Sequence, residues 1–172
     1  MKLSIIIPVF NEEGSLRELY HQITDSIKLY KDYEIVFIDD GSSDESKMII
    51  QKMIEKDNKV KLISFFRNFG KSAALSEGFK YASGDVIITM DADLQDDPNE
   101  IPALINKLND GFDLVSGWKK KRYDPWTKTF PSKIFNFVTR LLTGVKIHDF
   151  NCGLKAYRNS VVKSIEVFGG RH

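Results

Sequence analysis

The sequence predicts an α/β fold, a mostly parallel sheet flanked by helices. Short apolar runs alternate with segments of helical periodicity from the first residues onward, capping signals open those segments, and polar clusters stand where successive apolar runs end. The 172 residues suffice for one domain with a sizeable core, and residues 1–172 are read as a single unit.

The first apolar run, Leu3–Val9, follows Lys2 as a secretion signal would. It stops after three isoleucines and a valine and reads as a first strand. Ser15 and Glu18 have capping-box spacing, and Leu16, Leu19, Tyr20, Ile23 and Ile27 share one face of a helix extending to about Tyr30. That helix returns the chain for a second strand at residues 33–38, parallel to the first. Ser42 and Glu45 repeat the cap before a helix carrying Met48, Ile49, Lys52 and Met53. A third strand at 60–65 precedes a helix at 72–82, with Gly84 as its stop, and a fourth strand covers 86–90. Asp97, Pro98 and Glu100 suit N-cap, N1 and N3 of a helix ending near Asn109-Asp110-Gly111, before a fifth strand at 112–116. Past Gly117, Lys119, Lys120, Lys121 and Arg122 lead into a Trp/Pro segment. Ile134, Phe135, Phe137, Val138, Leu141 and Leu142 then mark an apolar helix closed by Gly144.

Twenty-five basic and 24 acidic residues leave a net charge of +1, which gives no global case for nucleic acid or for a membrane surface. One cysteine, Cys152, excludes an internal disulfide and a cysteine-rich zinc framework and fits a reducing, cytoplasmic compartment. No apolar stretch approaches the roughly 20 residues that cross a bilayer.

The most informative stretch is Ile87-Ile88-Thr89-Met90-Asp91-Ala92-Asp93, where an apolar run empties into two carboxylates spaced D-x-D. Two alternating carboxylates at a strand end can share a hard divalent cation, whose other positions go to water and phosphate oxygens. The Gln95 amide can add an oxygen, whereas Asp96 and Asp97 suit capping. In open parallel sheets ligands bind off the carboxyl ends of the strands, and four strand ends here carry polar clusters. They are Asn11-Glu12-Glu13, Asp39-Asp40-Gly41-Ser42-Ser43-Asp44, Arg67-Asn68-Phe69-Gly70-Lys71 and Asp91-Ala92-Asp93. Each alone is ordinary turn chemistry. Together they offer acids for a metal or ribose hydroxyls and bases for phosphate, the needs of a nucleoside diphosphate. Arg67 and Lys71 flank Gly70, and their charges suit phosphate. The basic run at 119–122, with Trp126, Lys128 and Ser132 nearby, suits an anionic acceptor. Asp149, between His148 and Phe150, is either a catalytic carboxylate or a structural hydrogen-bond acceptor, and His148 is a weak candidate as a metal ligand.

Pro8-Val9-Phe10-Asn11-Glu12-Glu13, the Asp39 to Asp44 and Arg67 to Lys71 clusters, Asp91-Ala92-Asp93-Leu94-Gln95-Asp96-Asp97-Pro98 and Asp149-Phe150-Asn151-Cys152-Gly153-Leu154-Lys155 occur in this order. Together they resemble the family 2 inverting glycosyltransferases of GT-A fold, most closely the polyprenyl-phosphate branch. The resemblance implies a nucleotide-sugar donor, with Pro8, Phe10, Glu12 and Asp40 around the base and ribose, Asp39 as the competitor for the last role, and Lys71 and Asp91 also at the donor. It implies Mg2+ or Mn2+ at Asp91, Asp93 and Gln95, a polyprenyl phosphate acceptor gripped by Lys119, Lys128 and Ser132, and Asp149 as the catalytic base or, toward an acceptor already anionic, an orienting group. Arginine is commoner than lysine at the first two acceptor positions. Members of this branch usually continue past the region matching Gly170-Arg171-His172 into membrane-associated helices. The chain is therefore expected to be a catalytic domain lacking that region, working at the cytoplasmic face of a membrane. The alternatives are a family 2 enzyme acting on a polysaccharide, protein or lipid hydroxyl, and a catalytically silent nucleotide-sugar-binding module. A receiver-like signalling domain also gathers acids and a lysine at strand ends, but here the D-x-D follows the fourth strand.

Overall fold

The computed structural model describes residues 1–117 and 152–164. In chain order the elements are β1 (Leu3–Val9), α1 (Leu16–Ser26), β2 (Tyr33–Asp39), α2 (Ser46–Ile54), β3 (Val60–Ser64), α3 (Lys71–Tyr81) and β4 (Val86–Thr89). A 3-10 turn at Pro98–Glu100 then leads into α4 (Ile101–Asn109), β5 (Leu114–Ser116), β6 (Lys155–Arg158) and α5 (Asn159–Ser164). The strands form one sheet in the order β3-β2-β1-β4-β6-β5. β1 runs parallel to β2 and β4, with Leu3 opposite both Tyr33 and Val86, while β6 is antiparallel to β4 and β5.

Both faces of the sheet are covered, which is why β1 reads as a continuous apolar run. Ile5, Ile7, Ile35, Phe37 and Ile88 pack with Leu16, Leu19 and Ile23 of α1 and Ile105 of α4. The alternate residues Ile6, Val36, Ile38 and Ile87 meet Ala74 and Phe79 of α3 and Val162 of α5 on the other face.

The five expected strands and the first four of the five expected helices are present, with corrections at their ends; the fifth, near 134–142, lies outside the described residues. Ser15 and Glu18 do not form a capping box. Ser15 is already in the helical region (φ −103°, ψ −29°) and turns its hydroxyl back to donate to the Glu12 carbonyl at 3.1 Å and carboxylate at 3.2 Å. Glu18 accepts from Gln22 Nε2 instead, at 2.8 Å, and α1 ends at Ser26 rather than near Tyr30. At α2 the Asp44 carboxylate accepts from Ser46 N at 3.0 Å, because the Ser42 hydroxyl is committed to Asn11 N. Asp97 caps as expected, accepting from Asn99 N at 2.9 Å. The sequence reading misses β6, whose four residues carry no apolar run.

At the amino ends of the strands lies a buried polar hub. The Glu34 carboxylate accepts from Ser4 Oγ at 2.6 Å, from Ser83 N at 2.9 Å and Oγ at 2.8 Å, and from Lys61 Nζ at 2.7 Å. Gly84 N in turn donates to Ser4 Oγ at 2.8 Å, so one side chain links β1, β2, β3 and the entry to β4. Burial opposes ionisation of Glu34, but the Lys61 ammonium, the Ser4 hydroxyl and the two Ser83 donors prevail and hold its pKa down to about 2, from an ordinary 4.5. A depressed folded-state pKa contributes stability that is complete above the unfolded value and is lost as pH falls. Urea unfolding should therefore show a stability loss between pH 4.5 and about 2 that is visibly smaller in Glu34→Gln.

Candidate functional site

A cleft of about 330 Å3 opens at the carboxyl ends of β1, β2 and β4. The exit of β1 supplies Pro8, Phe10 and Glu12, the exit of β2 supplies Asp40, and the exit of β4 supplies Asp91 and Asp93. Asn68, Gly70 and Lys71 close it from the turn before α3. All of the expected donor residues, Pro8, Phe10, Glu12, Asp40, Lys71 and Asp91, thus meet in one cleft together with Asp93.

The turns forming the cleft are tied to each other. Asn11, at φ 57°, donates its N–H to Ser42 Oγ at 3.0 Å and accepts from Ser43 N at 2.8 Å. Glu13 and Asp44 exchange similar bonds: Glu13 N donates to Asp44 at 3.1 Å, and Glu45 N donates to Glu13 at 2.9 Å. Gly41 is required where the second and third turns meet. Its φ is +73°, and a Cβ there would stand 2.4 Å from the Arg67 carbonyl carbon and 2.8 Å from Asn68 N, both backbone atoms.

Asp40, expected at the donor with Asp39 as its close competitor, separates clearly from it. Asp39 does not line the cleft and accepts from Ser42 N at 2.9 Å and Ser64 Oγ at 3.0 Å. Asp40 borders the cleft, and its two oxygens accept from Phe69 N at 2.7 Å and Gly70 N at 2.9 Å, which sets the turn that delivers Lys71. The Arg67 guanidinium lies over the rings of Phe69 and Phe66, 4.8 and 5.5 Å from their centroids, and does not line the cleft. Among the described residues Lys71 is the cation that does, and its ammonium is bonded to Asp91 Oδ1.

Asp91 is held from several sides. Its N–H donates to the buried Asp96 carboxylate at 3.2 Å. Gly153, in the approach to β6, packs so closely that a Cβ there would lie 2.6 Å from Asp91 Cγ and Oδ2. Thr89 Oγ1 pins this contact by donating to the Gly153 carbonyl at 2.9 Å. Asp93 closes a local turn by accepting from Gln95 N at 3.0 Å, with Leu94 at φ 62°. The Gln95 side chain is exposed and does not line the cleft, so the structure brings Asp91 and Asp93 to the site but not the Gln95 amide.

Negative charge accumulates here. Burial raises the Glu12 pKa above its ordinary value, and the carboxylates of Asp93, Asp44 and Asp91 push the same way against the Ser15 hydroxyl. Among the described residues no three His, Cys, Asp or Glu side chains form a complete metal centre. Two hard oxygen donors in an acidic cleft fit a Mg2+- or Mn2+-type ion that takes the rest of its shell from water and phosphate.

Sequence reasoning assigned no role to Asn68 or to the contact of Gly153 with Asp91. The residue types gave hints, but the partners lie on strands whose order is not written locally. Lys119, Lys128, Ser132, Asp149, the rest of the basic run and the apolar helix near 134–142 lie outside the described residues.

Among the described residues, acids and Lys71 gather in a cleft at the carboxyl edge of a doubly covered, mostly parallel sheet, and the solved neighbours of this α/β domain share the GT-A architecture. The chain belongs to glycosyl transferase family 2, whose sequence model matches residues 4–166. It is 44% identical over 165 residues to an undecaprenyl-phosphate 4-deoxy-4-formamido-L-arabinose transferase of Shewanella sediminis, covering 95% of this chain and 50% of that one. It is 40% identical over 165 residues to the Pseudomonas aeruginosa protein of the same name, covering 95% and 49%. The chain thus spans about half the length of these curated relatives. Glucosyl-3-phosphoglycerate synthase from Mycobacterium tuberculosis, solved with Mn2+ and UDP-glucose, superposes with a TM-score of 0.74 at 20% identity, covering 98% of this chain and 60% of that one. Among the described residues no helix is long and apolar enough to cross a membrane.

Proposed function

We propose that this chain carries the sugar-transfer site of a polyprenyl-phosphate glycosyltransferase, moving a sugar from a nucleoside diphosphate donor to the acceptor phosphate with inversion. The observation that carries the donor half is the single cleft joining Glu12, Asp40, Lys71, Asp91 and Asp93 at the strand ends. The acceptor half is supported by the relatives at 40% and 44% identity, whose names specify undecaprenyl phosphate.

Pro8 and Phe10 would offer the base an apolar wall, with Glu12 and Asp40, which line the same cleft, at the ribose. Lys71 takes a diphosphate oxygen as a point charge on a flexible stem. Asp91 and Asp93 would hold Mg2+ or Mn2+, which when bound neutralises the leaving diphosphate as a Lewis acid. The acceptor phosphate oxygen attacks the anomeric carbon from the face opposite the diphosphate, one C–O bond forming as the other breaks. An α-linked donor then gives a β-linked product, and Lys119, Lys128 and Ser132 would hold the attacking phosphate. That phosphate is already anionic, so Asp149 has no proton to remove and would orient it. A lipid acceptor places the reaction at a membrane surface, and the lone cysteine agrees with its cytoplasmic face.

Transfer is tested by incubating the chain with UDP- or GDP-sugars, a short polyprenyl phosphate and Mn2+, with product detected by mass spectrometry and anomeric configuration read by NMR. A β-linked polyprenyl phosphate sugar is expected. Transfer to alcohol acceptors alone, or an α-linked product, would refute the proposal.

A further inference from the structure

Before any donor is considered, Lys71 already occupies the chemistry a metal needs. Its ammonium is bonded to Asp91 Oδ1, while Gly153 lies against the same carboxylate, where an added Cβ would stand 2.6 Å from Oδ2. The Asp91 backbone N–H donates to Asp96 at 3.2 Å, which fixes the turn from which the carboxylate meets its lysine. Asp93 spends one oxygen on Gln95 N, and no third acid completes a centre among the described residues. A divalent ion arriving alone therefore meets one partly used carboxylate and one bonded to a cation.

Lys71 is itself oddly placed. It is the first residue of α3, an eleven-residue helix with no acidic residue in its first turn and no side-chain cap, so its charge faces the positive end of the helix dipole. Asp91 compensates for that charge, and a diphosphate would do so equally well, with the half-exposed lysine head free to turn on its four-carbon stem.

We propose that Lys71 is a resident counter-ion of the metal carboxylate, releasing Asp91 to a divalent cation only when a nucleoside diphosphate takes the ammonium over. The idea rests on the donor-site reading above and adds an order to it: metal and nucleotide enter together, each making the other's site. The coupling is reciprocal, so metal should tighten nucleotide by the factor by which nucleotide tightens metal.

The test is titration of Mn2+, followed by the loss of its free-ion paramagnetic signal, into the chain with and without UDP or GDP. Direct coordination by the diphosphate alone would also couple the two, so the deciding arm is the nucleotide-free one. There Lys71→Met is expected to bind Mn2+ about fivefold or more tightly than the wild type, the low end of ordinary coupling factors, while its nucleotide-linked gain shrinks. Lys71→Gln serves as a second variant. Arg67→Gln removes an equal charge from the same turn without touching Asp91 and should behave as wild type. Unchanged nucleotide-free affinity in both Lys71 variants, or the same gain in Arg67→Gln, would overturn the inference while leaving the donor site intact. A wild-type chain that binds neither Mn2+ nor nucleotide in any combination would overturn both readings.

Discussion

Asp93→Asn is expected to abolish the gain in nucleotide affinity that Mn2+ confers and to lower sugar transfer by about 10³-fold or more, the loss of several kcal/mol of charge stabilisation on the leaving group. Asparagine keeps a carbonyl oxygen for the turn that Asp93 makes with Gln95 N, so the backbone at Leu94 need not move. What disappears is a charge at an exposed position on the rim of the cleft. Thermal unfolding should therefore match the wild type, while calorimetric titration of UDP or GDP gives the same affinity with and without Mn2+. Retention of the metal-linked gain would mean that the ion is held elsewhere.

Gly153→Ala should act on the same carboxylate from behind. The new methyl would sit 2.6 Å from Asp91 Cγ and Oδ2 and 2.7 Å from Asp96 Oδ2, all side-chain atoms that can rotate away. The fold has a way to yield, so the cost appears at the site: Asp91 turns, and the alignment with Lys71 and Asp93 is lost. A displacement of about 1 Å at a reacting centre costs on the order of 10²-fold in rate. The expected result is a transfer rate lowered by about that factor, with metal-linked nucleotide binding weakened and the melting temperature changed by only a few degrees. Normal binding and transfer would show that the contact between Gly153, ahead of β6, and the D-x-D turn has no part in the chemistry.

The layout of the domain was largely legible because its strands are covered on both faces. β1, β2 and β4 announce themselves as unbroken apolar runs, and the clusters that follow them do converge. What could not be read depends on neighbours distant in sequence. β6 has only Lys155, Ala156, Tyr157 and Arg158, with Ala156 alone fully buried, and its place between β4 and β5 is a matter of sheet order. Asp39 was a close competitor to Asp40 at the donor; they part because Asp39 is taken up by Ser64, on a neighbouring strand, and does not line the cleft. The Ser15 and Glu18 spacing satisfied a capping box that does not form, since Glu12, one turn earlier, competes successfully for the serine hydroxyl. Lys71 was expected at phosphate from its charge, but its bond to Asp91 depends on the turn that Asp40 fixes.

The central claim is that the strand-end cleft binds a metal-bridged nucleoside diphosphate, and anomalous diffraction from crystals grown with Mn2+ and a UDP- or GDP-sugar tests it most directly. One manganese peak held by Asp91 and Asp93 beside the diphosphate is expected, with Lys71 moved from Asp91 onto the phosphate. A nucleotide bound outside this cleft, or manganese that touches neither aspartate, would contradict it.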